Sequence, residues 1–281
     1  MIDIYRRECE SVVIKALSQL SLPKNMCQRT CIELAHHTGF KGYEPVFKLG
    51  SNADHQEINE IKRISNSYNI TLTSVATELH WRYSLSSLDN KIRQKAVDIG
   101  KAQIDYCKYL NTSISLLVPG HYMADMDYTD SFERLRDSIY QLLEYTKPLN
   151  VVLGIENVIN GFFTSAMELQ EFVDSFHSDF IGVYFDIGNA GYYNYPHLWA
   201  RTLGSRIKSV HIKDYNTKVG NINGFCALLT GNIEFVKVLQ VLSDNGYTGS
   251  VTGEVPCNDG YPDLLPRFTS MAMDEIFAKL Q

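Results

Sequence analysis

The sequence predicts an α/β fold, a closed (β/α)8 TIM barrel, on two observations. Eight apolar runs of strand length alternate with stretches whose apolar residues are spaced by three or four. Strands separated by helices pair in parallel through right-handed crossovers, and eight such units close into a barrel. The alternative, an open doubly wound sheet, is disfavoured because no GxGxxG-type loop follows an early strand.

The predicted strands are short runs rich in β-branched and aromatic residues. They cover 10–16, 41–47, 70–78, 112–119, 151–158, 180–187, 207–214 and 249–255. The first is the least secure, because ESVVIKALSQL could also continue as a helix. Two of the predicted helices carry end signals: Gly39 is expected to end CQRTCIELAHHTGF, and Asn232 is expected to cap NIEFVKVLQVLSDNGY.

Composition limits the classes of protein. The 281 residues contain no linker, repeat or low-complexity segment, so we expect one TIM-barrel domain over 1–281. The formal net charge of −6 disfavours a nucleic-acid partner. No apolar run approaches the roughly 20 residues of a membrane span. The start, MIDIYRRECESVV, has charges where a signal peptide is apolar, so we expect no membrane partner and a cytoplasmic location.

Cysteine usage agrees with a reducing compartment. The six cysteines are scattered without a CxxC pair. Cys27 and Cys31 lie one helical turn apart, and we interpret them as helix neighbours, not as a metal pair. A disulfide framework is therefore not expected.

Potential ligands follow four successive strands, at the point where each strand ends. GIEN, YFDIGN, SVHIKD and TGEV present Glu156, Asp186, His211 and Glu254. These residues lie about one βα unit apart, and the carboxyl ends of barrel strands meet at one mouth. Each residue taken alone has an ordinary explanation, since a strand-end acid often caps the next helix and a single histidine is usually packed. Together they predict one site.

The chemistry of this set predicts a bound cation. Three carboxylates at one mouth repel each other unless a cation neutralises them or some stay protonated. Three oxygen ligands and one imidazole suit Mn²⁺, Mg²⁺ or Co²⁺. Zinc fits less well, because it more often takes softer or more nitrogen-rich ligand sets.

These motifs resemble a known family. The chain is similar to the sugar phosphate isomerase/epimerase branch of the xylose-isomerase-like TIM barrels, in particular to D-tagatose 3-epimerases and L-xylulose-5-phosphate 3-epimerases. The similarity is carried by CIELAHHTGFKGYEP, LHWRYSLSSLD, GIENVINGFF, the stretch from VYFDIGN to HIKD, LLTGNIEF and GEV. Its specific part is the ordered set GIEN, FDIGN and HIKD.

The resemblance implies a metal-dependent isomerase or epimerase of a ketose or ketose phosphate. Glu156, Asp186, His211 and Glu254 would bind one divalent ion, manganese ahead of Mg²⁺, Co²⁺ or Zn²⁺. Glu156 and Glu254 would be catalytic. Removing a proton beside a carbonyl forms an enediolate that a metal stabilises, and two carboxylates on opposite faces of the sugar can remove and return that proton. The resemblance also leaves a homodimer or homotetramer open.

Three other functions remain as alternatives. One is a related metal-dependent lyase of the inosose dehydratase type. Another is a DNA-repair enzyme like the apurinic endonucleases, in which histidines placed like His80 and His121 help to hold three zinc ions. The third is a non-catalytic sugar-binding barrel.

The chain departs from the tagatose-type pattern at two positions. Those enzymes have a histidine three residues after the strand-six aspartate and an arginine after the strand-seven histidine, where this chain has Asn189 and Lys213. Both are expected to bind substrate. His80, Trp81 and His121 are expected to line the sugar pocket, and the backbone amides of Gly231 and Asn232 are candidates for a phosphate contact. The partner is therefore expected to be a sugar or sugar phosphate.

Overall fold

The computed structural model describes residues 13–50 and 55–280. Its strands are β1 Ile14–Ser18, β2 Gly42–Glu44, β3 Thr71–Leu72, β4 Ile114–Leu117, β5 Val152–Glu156, β6 Ile181–Asp186, β7 Ile207–Ile212, β8 Asp214–Tyr215, β9 Phe225–Cys226 and β10 Ser250–Gly253. Seven of the eight predicted strand regions contain one of these strands, and the first, 10–16, overlaps β1. The part of the first prediction before Val13 lies outside the described residues.

Eight parallel strands form the barrel wall. They pair in the order β3-β2-β1-β10-β7-β6-β5-β4, while β8 and β9 form a separate antiparallel pair. The wall closes through Val75, which follows β3 and bridges to Ser115 of β4. The Val75 N–H donates to the Ile114 carbonyl at 3.0 Å, and the Val75 carbonyl accepts from the Leu116 N–H at 2.9 Å. The predicted (β/α)8 barrel is confirmed.

Helices cover the outside of this wall. They are α1 Gln28–His37, α2 His55–Ser67, α3 Leu79–Arg82, α4 Asn90–Leu110, α5 Tyr128–Thr146, α6 Ala166–Asp174, α7 Ile187–Tyr193, α8 Pro196–Leu203, α9 Phe235–Asp244 and α10 Leu264–Phe277. Among the described helices, none combines the length and the apolar character needed to cross a membrane.

The predicted end signals hold at one helix and fail at another. Gly39 has φ +94°, a left-handed conformation that favours glycine, and lies directly beyond the end of α1. Asn232 does not cap α9, which begins only at Phe235 after an uncapped Glu234. The Asn232 side-chain oxygen instead accepts from the backbone N–H of Thr217 at 3.0 Å.

Two apolar regions hold the barrel together. The larger lies between the sheet and the helices, where outward-facing strand residues such as Leu153 and Ile155 are fully buried. The smaller fills the barrel interior and consists of Val46, Ala76, Leu116, Val118, Val158 and Tyr184. Inward and outward side chains alternate along each strand, so the residues that face the interior at the strand ends also face the mouth.

Candidate active site

The structure brings the four strand-end residues together at the mouth of the barrel. Glu156 ends β5, Asp186 ends β6, His211 lies in β7 and Glu254 directly follows β10. One ligand atom from each side chain lies within 4.8 Å of the others. The His211 Nδ1 is 3.5 Å from a carboxylate oxygen of Glu156 and 3.5 Å from one of Glu254, and 3.9 Å from Asp186.

Asp186 has two roles in this cluster. Its Oδ1 accepts the Asn189 N–H at 2.8 Å and so caps α7, which means that the ordinary explanation of a strand-end acid also holds here. Its Oδ2 faces the cluster. The Asn157 side chain fixes the aspartate backbone, since its amide nitrogen donates to the Asp186 carbonyl at 2.9 Å and its oxygen accepts the Asp186 N–H at 2.8 Å.

Sequence reasoning missed Glu44, which ends β2 and is fully buried. Its Oε1 accepts from the His211 Nε2 at 2.9 Å and from the Ser18 hydroxyl at 2.8 Å. Its Oε2 accepts from the Ser74 and Tyr184 hydroxyls, both at 2.6 Å. Because Nε2–H points to Glu44, the other ring nitrogen, Nδ1, faces the carboxylate cluster and would offer its lone pair there once an ion displaces its proton. KGYEPVF carried the same signal as the other four strand ends.

The charges of these groups are strongly coupled. Burial alone would raise the pKa of Glu44, but His211 and the hydroxyl hydrogen bonds outweigh it and lower the pKa to about 2. Burial opposes protonation of His211, yet Glu44, Glu254 and Glu156 raise its pKa well above the usual value. At Glu156 burial dominates, and with Glu254 nearby it raises the pKa to about 7.

Lys213 lies at the edge of the cluster. Its ammonium pairs with carboxylate oxygens of both Asp186 and Glu254. These two acids raise its pKa although burial acts in the opposite direction. Gly188 makes this close approach feasible, since a Cβ there would lie 2.9 Å from the Lys213 carbonyl oxygen. The predicted substrate-binding lysine is therefore already engaged with two of the candidate ligands.

The four side chains fit a divalent cation. The His211 Nδ1 is buried and has no hydrogen-bond partner among the residues that the structure describes, which is costly unless a ligand takes its lone pair. Around it lie three carboxylates, the hard oxygen donors that Mn²⁺ and Mg²⁺ prefer. Glu44 supplies the outer carboxylate that usually orients a metal-binding histidine.

A cavity of about 350 Å³ opens beside the cluster. Five of the predicted site residues line it: Glu156, Glu254, Asn189, Lys213 and Trp81. Its volume is at the lower end of ordinary ligand pockets, ~300–1,000 Å³, and suits a molecule of monosaccharide size.

The prediction that His80 and His121 line the pocket is not supported by their positions, since neither is among the cavity-lining residues. His80 is fully buried and its Nε2 lies 3.2 Å from the Ala96 carbonyl, so the ring is held against α4. The His121 Nε2 lies 2.7 Å from the Trp81 carbonyl, and the ring packs on the Trp81 indole at 5.1 Å. His121 thus supports the wall from behind.

The expected phosphate contact at Gly231 and Asn232 is occupied by the protein itself. The buried Asp214 carboxylate accepts from the N–H groups of Gly231 at 2.8 Å and Ile233 at 3.2 Å. The Asn232 N–H donates to the Tyr215 carbonyl at 3.0 Å. The sequence indicated the Gly231 amide but not the Asp214 carboxylate that accepts its N–H.

Comparison with known proteins decides the family. The model of the xylose isomerase-like TIM barrels matches residues 32–271. The chain belongs to this family. Among the curated members, a Haemophilus influenzae protein named "Putative L-ribulose-5-phosphate 3-epimerase SgbU" is 25% identical over 241 residues, which cover 82% of this chain and 84% of that protein.

Solved structures of similar proteins show the same fold. D-psicose 3-epimerase of Clostridium cellulolyticum H10, solved with D-tagatose, has a TM-score of 0.79 at 20% identity. The match covers 96% of this chain and 100% of that chain. A zinc-bound IolI protein has a TM-score of 0.82 at 15% identity, with 96% of this chain and 99% of that chain covered. The Haemophilus influenzae relative is named for a sugar phosphate epimerase, whereas the two solved structures show the shared fold.

Proposed function

We propose that the chain is a divalent-metal-dependent epimerase or isomerase of a ketose. One observation carries the proposal: the unpartnered Nδ1 of His211 lies among three carboxylates beside a cavity of sugar size. Glu156, Asp186, His211 and Glu254 would hold the ion, and manganese is the ion we propose. When bound, it would supply positive charge that stabilises negative charge developing on the substrate oxygens.

Glu156 and Glu254 are the proposed catalytic residues. Both line the cavity, so both can contact a bound sugar. Burial raises the pKa of Glu156, whereas ligation to the ion would lower it, so at least one of the two glutamates would have to be held only loosely by the ion to take and return a proton. Burial alone would raise the pKa of Glu254, but the charge of Lys213 outweighs burial and lowers it, so the Glu254 carboxylate stays ionised. One glutamate would remove the proton and the other would return it.

The remaining cavity residues would orient the sugar. The Asn189 side chain lines the cavity directly beyond Asp186 and can offer an amide to a hydroxyl group. Trp81 is 42% exposed and offers an apolar surface on which a sugar ring can pack. Among the described residues there is one potential metal group, and His80 and His121 lie outside it, which favours a single ion over the three-zinc endonuclease arrangement.

Deuterium exchange tests the proposed function. We expect manganese-loaded protein to incorporate deuterium from D₂O into a ketose at C3 if it is an epimerase, or at C1 if it is an isomerase. Glu156→Gln and Glu254→Gln should each abolish exchange with the fold intact, whereas Glu144→Gln, a charge-matched change at an exposed surface position, should not. Wild-type exchange in either site variant would remove that residue from the mechanism.

A further inference from the structure

The cavity offers very little positive charge to a substrate. Of the described residues that line it, Lys213 alone is basic. Its ammonium is already shared between Asp186 and Glu254 and lies 5.4 Å from the centre of the Phe225 ring. Those two carboxylates take two of the three N–H groups of the lysine. With the proposed ion bound, the three carboxylates of the cluster would balance the charges of the ion and of Lys213, so the cavity would present no net positive charge to a phosphate dianion.

The backbone site at which barrels often bind phosphate is also taken. That site lies in the loops after the last two barrel strands. Here the Asp214 carboxylate accepts the N–H groups of Tyr215, Gly231 and Ile233 at 2.8–3.2 Å. Asp214 is 1% exposed. An incoming phosphate would have to displace a buried carboxylate of the same charge sign.

Two further lysines lie near the mouth, but an acid separates them from the cavity. Lys24 and Lys48 line a neighbouring cavity, and Glu78 borders both cavities. The Lys24 ammonium pairs with Glu78 at 2.9 Å, and the Lys48 ammonium donates to the Lys24 carbonyl at 3.2 Å. A phosphate in the sugar cavity would therefore meet the Glu78 carboxylate before either ammonium group.

Apart from the acids, Lys213, Asn189 and Thr77, the cavity wall is apolar. The apolar part consists of Leu20, Trp81, Leu116, Val118, Val158, Ile159, Ile222, Phe225, Val255 and Pro256. Such a wall accepts carbon-bound hydrogens and cannot compensate a buried charge. We infer that this site takes an uncharged ketose and rejects its phosphate ester. The inference rests on the proposed function and separates this chain from the pentulose phosphate named for the Haemophilus influenzae relative.

Matched pairs of compounds test the inference. Isothermal titration calorimetry on manganese-loaded protein would compare L-ribulose with L-ribulose 5-phosphate, and D-tagatose with D-tagatose 6-phosphate. We expect each free ketose to bind at least tenfold more tightly than its ester. In D₂O, the free sugar of each pair should incorporate deuterium faster than its phosphate ester.

A charge introduced into the wall provides the converse test. Ile222 lines the cavity from the loop before β9. Ile222→Arg should raise the affinity for the phosphate ester relative to the free ketose by at least tenfold, whereas Ile222→Gln, of similar size without charge, should leave that ratio near the wild-type value.

Three results separate this inference from the proposed function. Equal or tighter binding of the phosphate esters by the wild type would overturn the inference, and so would the failure of both free ketoses to bind. Binding of a free ketose without deuterium exchange would support the uncharged ligand class and refute the proposed epimerase or isomerase activity.

Discussion

Glu44→Gln isolates the charge of the carboxylate that holds His211. The glutamine side chain has nearly the same shape, so the barrel interior stays filled. In the wild type all four partners of Glu44 donate hydrogen bonds: Ser18, Ser74, Tyr184 and His211. In the variant the amide NH₂ must replace one carboxylate oxygen and face two of these donors. The orientation of the His211 ring and the proton on its Nε2 are then no longer held by a negative charge.

The expected size of the effect follows from this geometry. Losing the charged partner of a buried hydrogen bond costs about 1.5–3 kcal/mol. Removing the outer partner of a metal-binding histidine lowers metal affinity by roughly 10–100-fold. That range corresponds to about 1.4–2.7 kcal/mol of binding free energy. We therefore expect Glu44→Gln to weaken Mn²⁺ binding by one to two orders of magnitude.

Competition with a chelating indicator would measure the Mn²⁺ dissociation constant, with circular dichroism to establish that the variant is folded. Tyr184→Phe is the matched control, because it removes one hydroxyl bond to Glu44 and leaves the carboxylate and Ser74 in place. The control should lose about 1 kcal/mol of stability and much less metal affinity. If Glu44→Gln bound Mn²⁺ within twofold of the wild type, Glu44 would not position His211.

Three further predictions concern stability. Burial lowers the pKa of His80 to about 4 in the folded chain, against 6.5 in the unfolded chain. Between pH 6.5 and 4 this imidazole is therefore protonated mainly in the unfolded chain, and the protein should lose about 3 kcal/mol of stability as the pH falls over that range. His80→Gln should flatten that part of a urea-denaturation pH profile; an unchanged slope would contradict the assignment. Lys213→Met leaves Asp186 and Glu254 without their ammonium partner, so Mn²⁺ should raise the melting temperature more than in the wild type, and an equal rise would count against competition between lysine and metal. Gly188→Ala forces a Cβ to within 2.9 Å of the Lys213 carbonyl oxygen and should cost about 1–3 kcal/mol in urea denaturation; a neutral change would show that α7 can shift freely.

The features that could be predicted from the sequence are those with a local pattern. Apolar runs and helical spacing repeat within each βα unit, so the barrel followed from them. Glu156, Asp186, His211 and Glu254 each lie at or next to the end of a strand, and the fold then places such ends side by side. Glu44 has the same pattern, since it ends β2, so KGYEPVF could have indicated it as well.

The missed features depend on contacts between residues far apart in the chain. The position of His80 after β3 is visible in the sequence, whereas the direction of its ring depends on the Ala96 carbonyl of α4. Likewise, the availability of the Gly231 amide depends on Asp214, which lies 17 residues earlier. Local propensity carries no information about either pairing.

The partners of Glu44 argue that metal affinity and barrel stability are linked. Ser18 lies in β1, Ser74 follows β3 and Tyr184 lies in β6. Two of these strands, β1 and β3, carry no proposed ligand, yet their side chains help to orient His211. A ligand that binds only the folded state stabilises it, by about 2.7 kcal/mol at 100 times its dissociation constant. A change that loosens this network should therefore reduce both the stability of the metal-free barrel and the extra stability conferred by the ion.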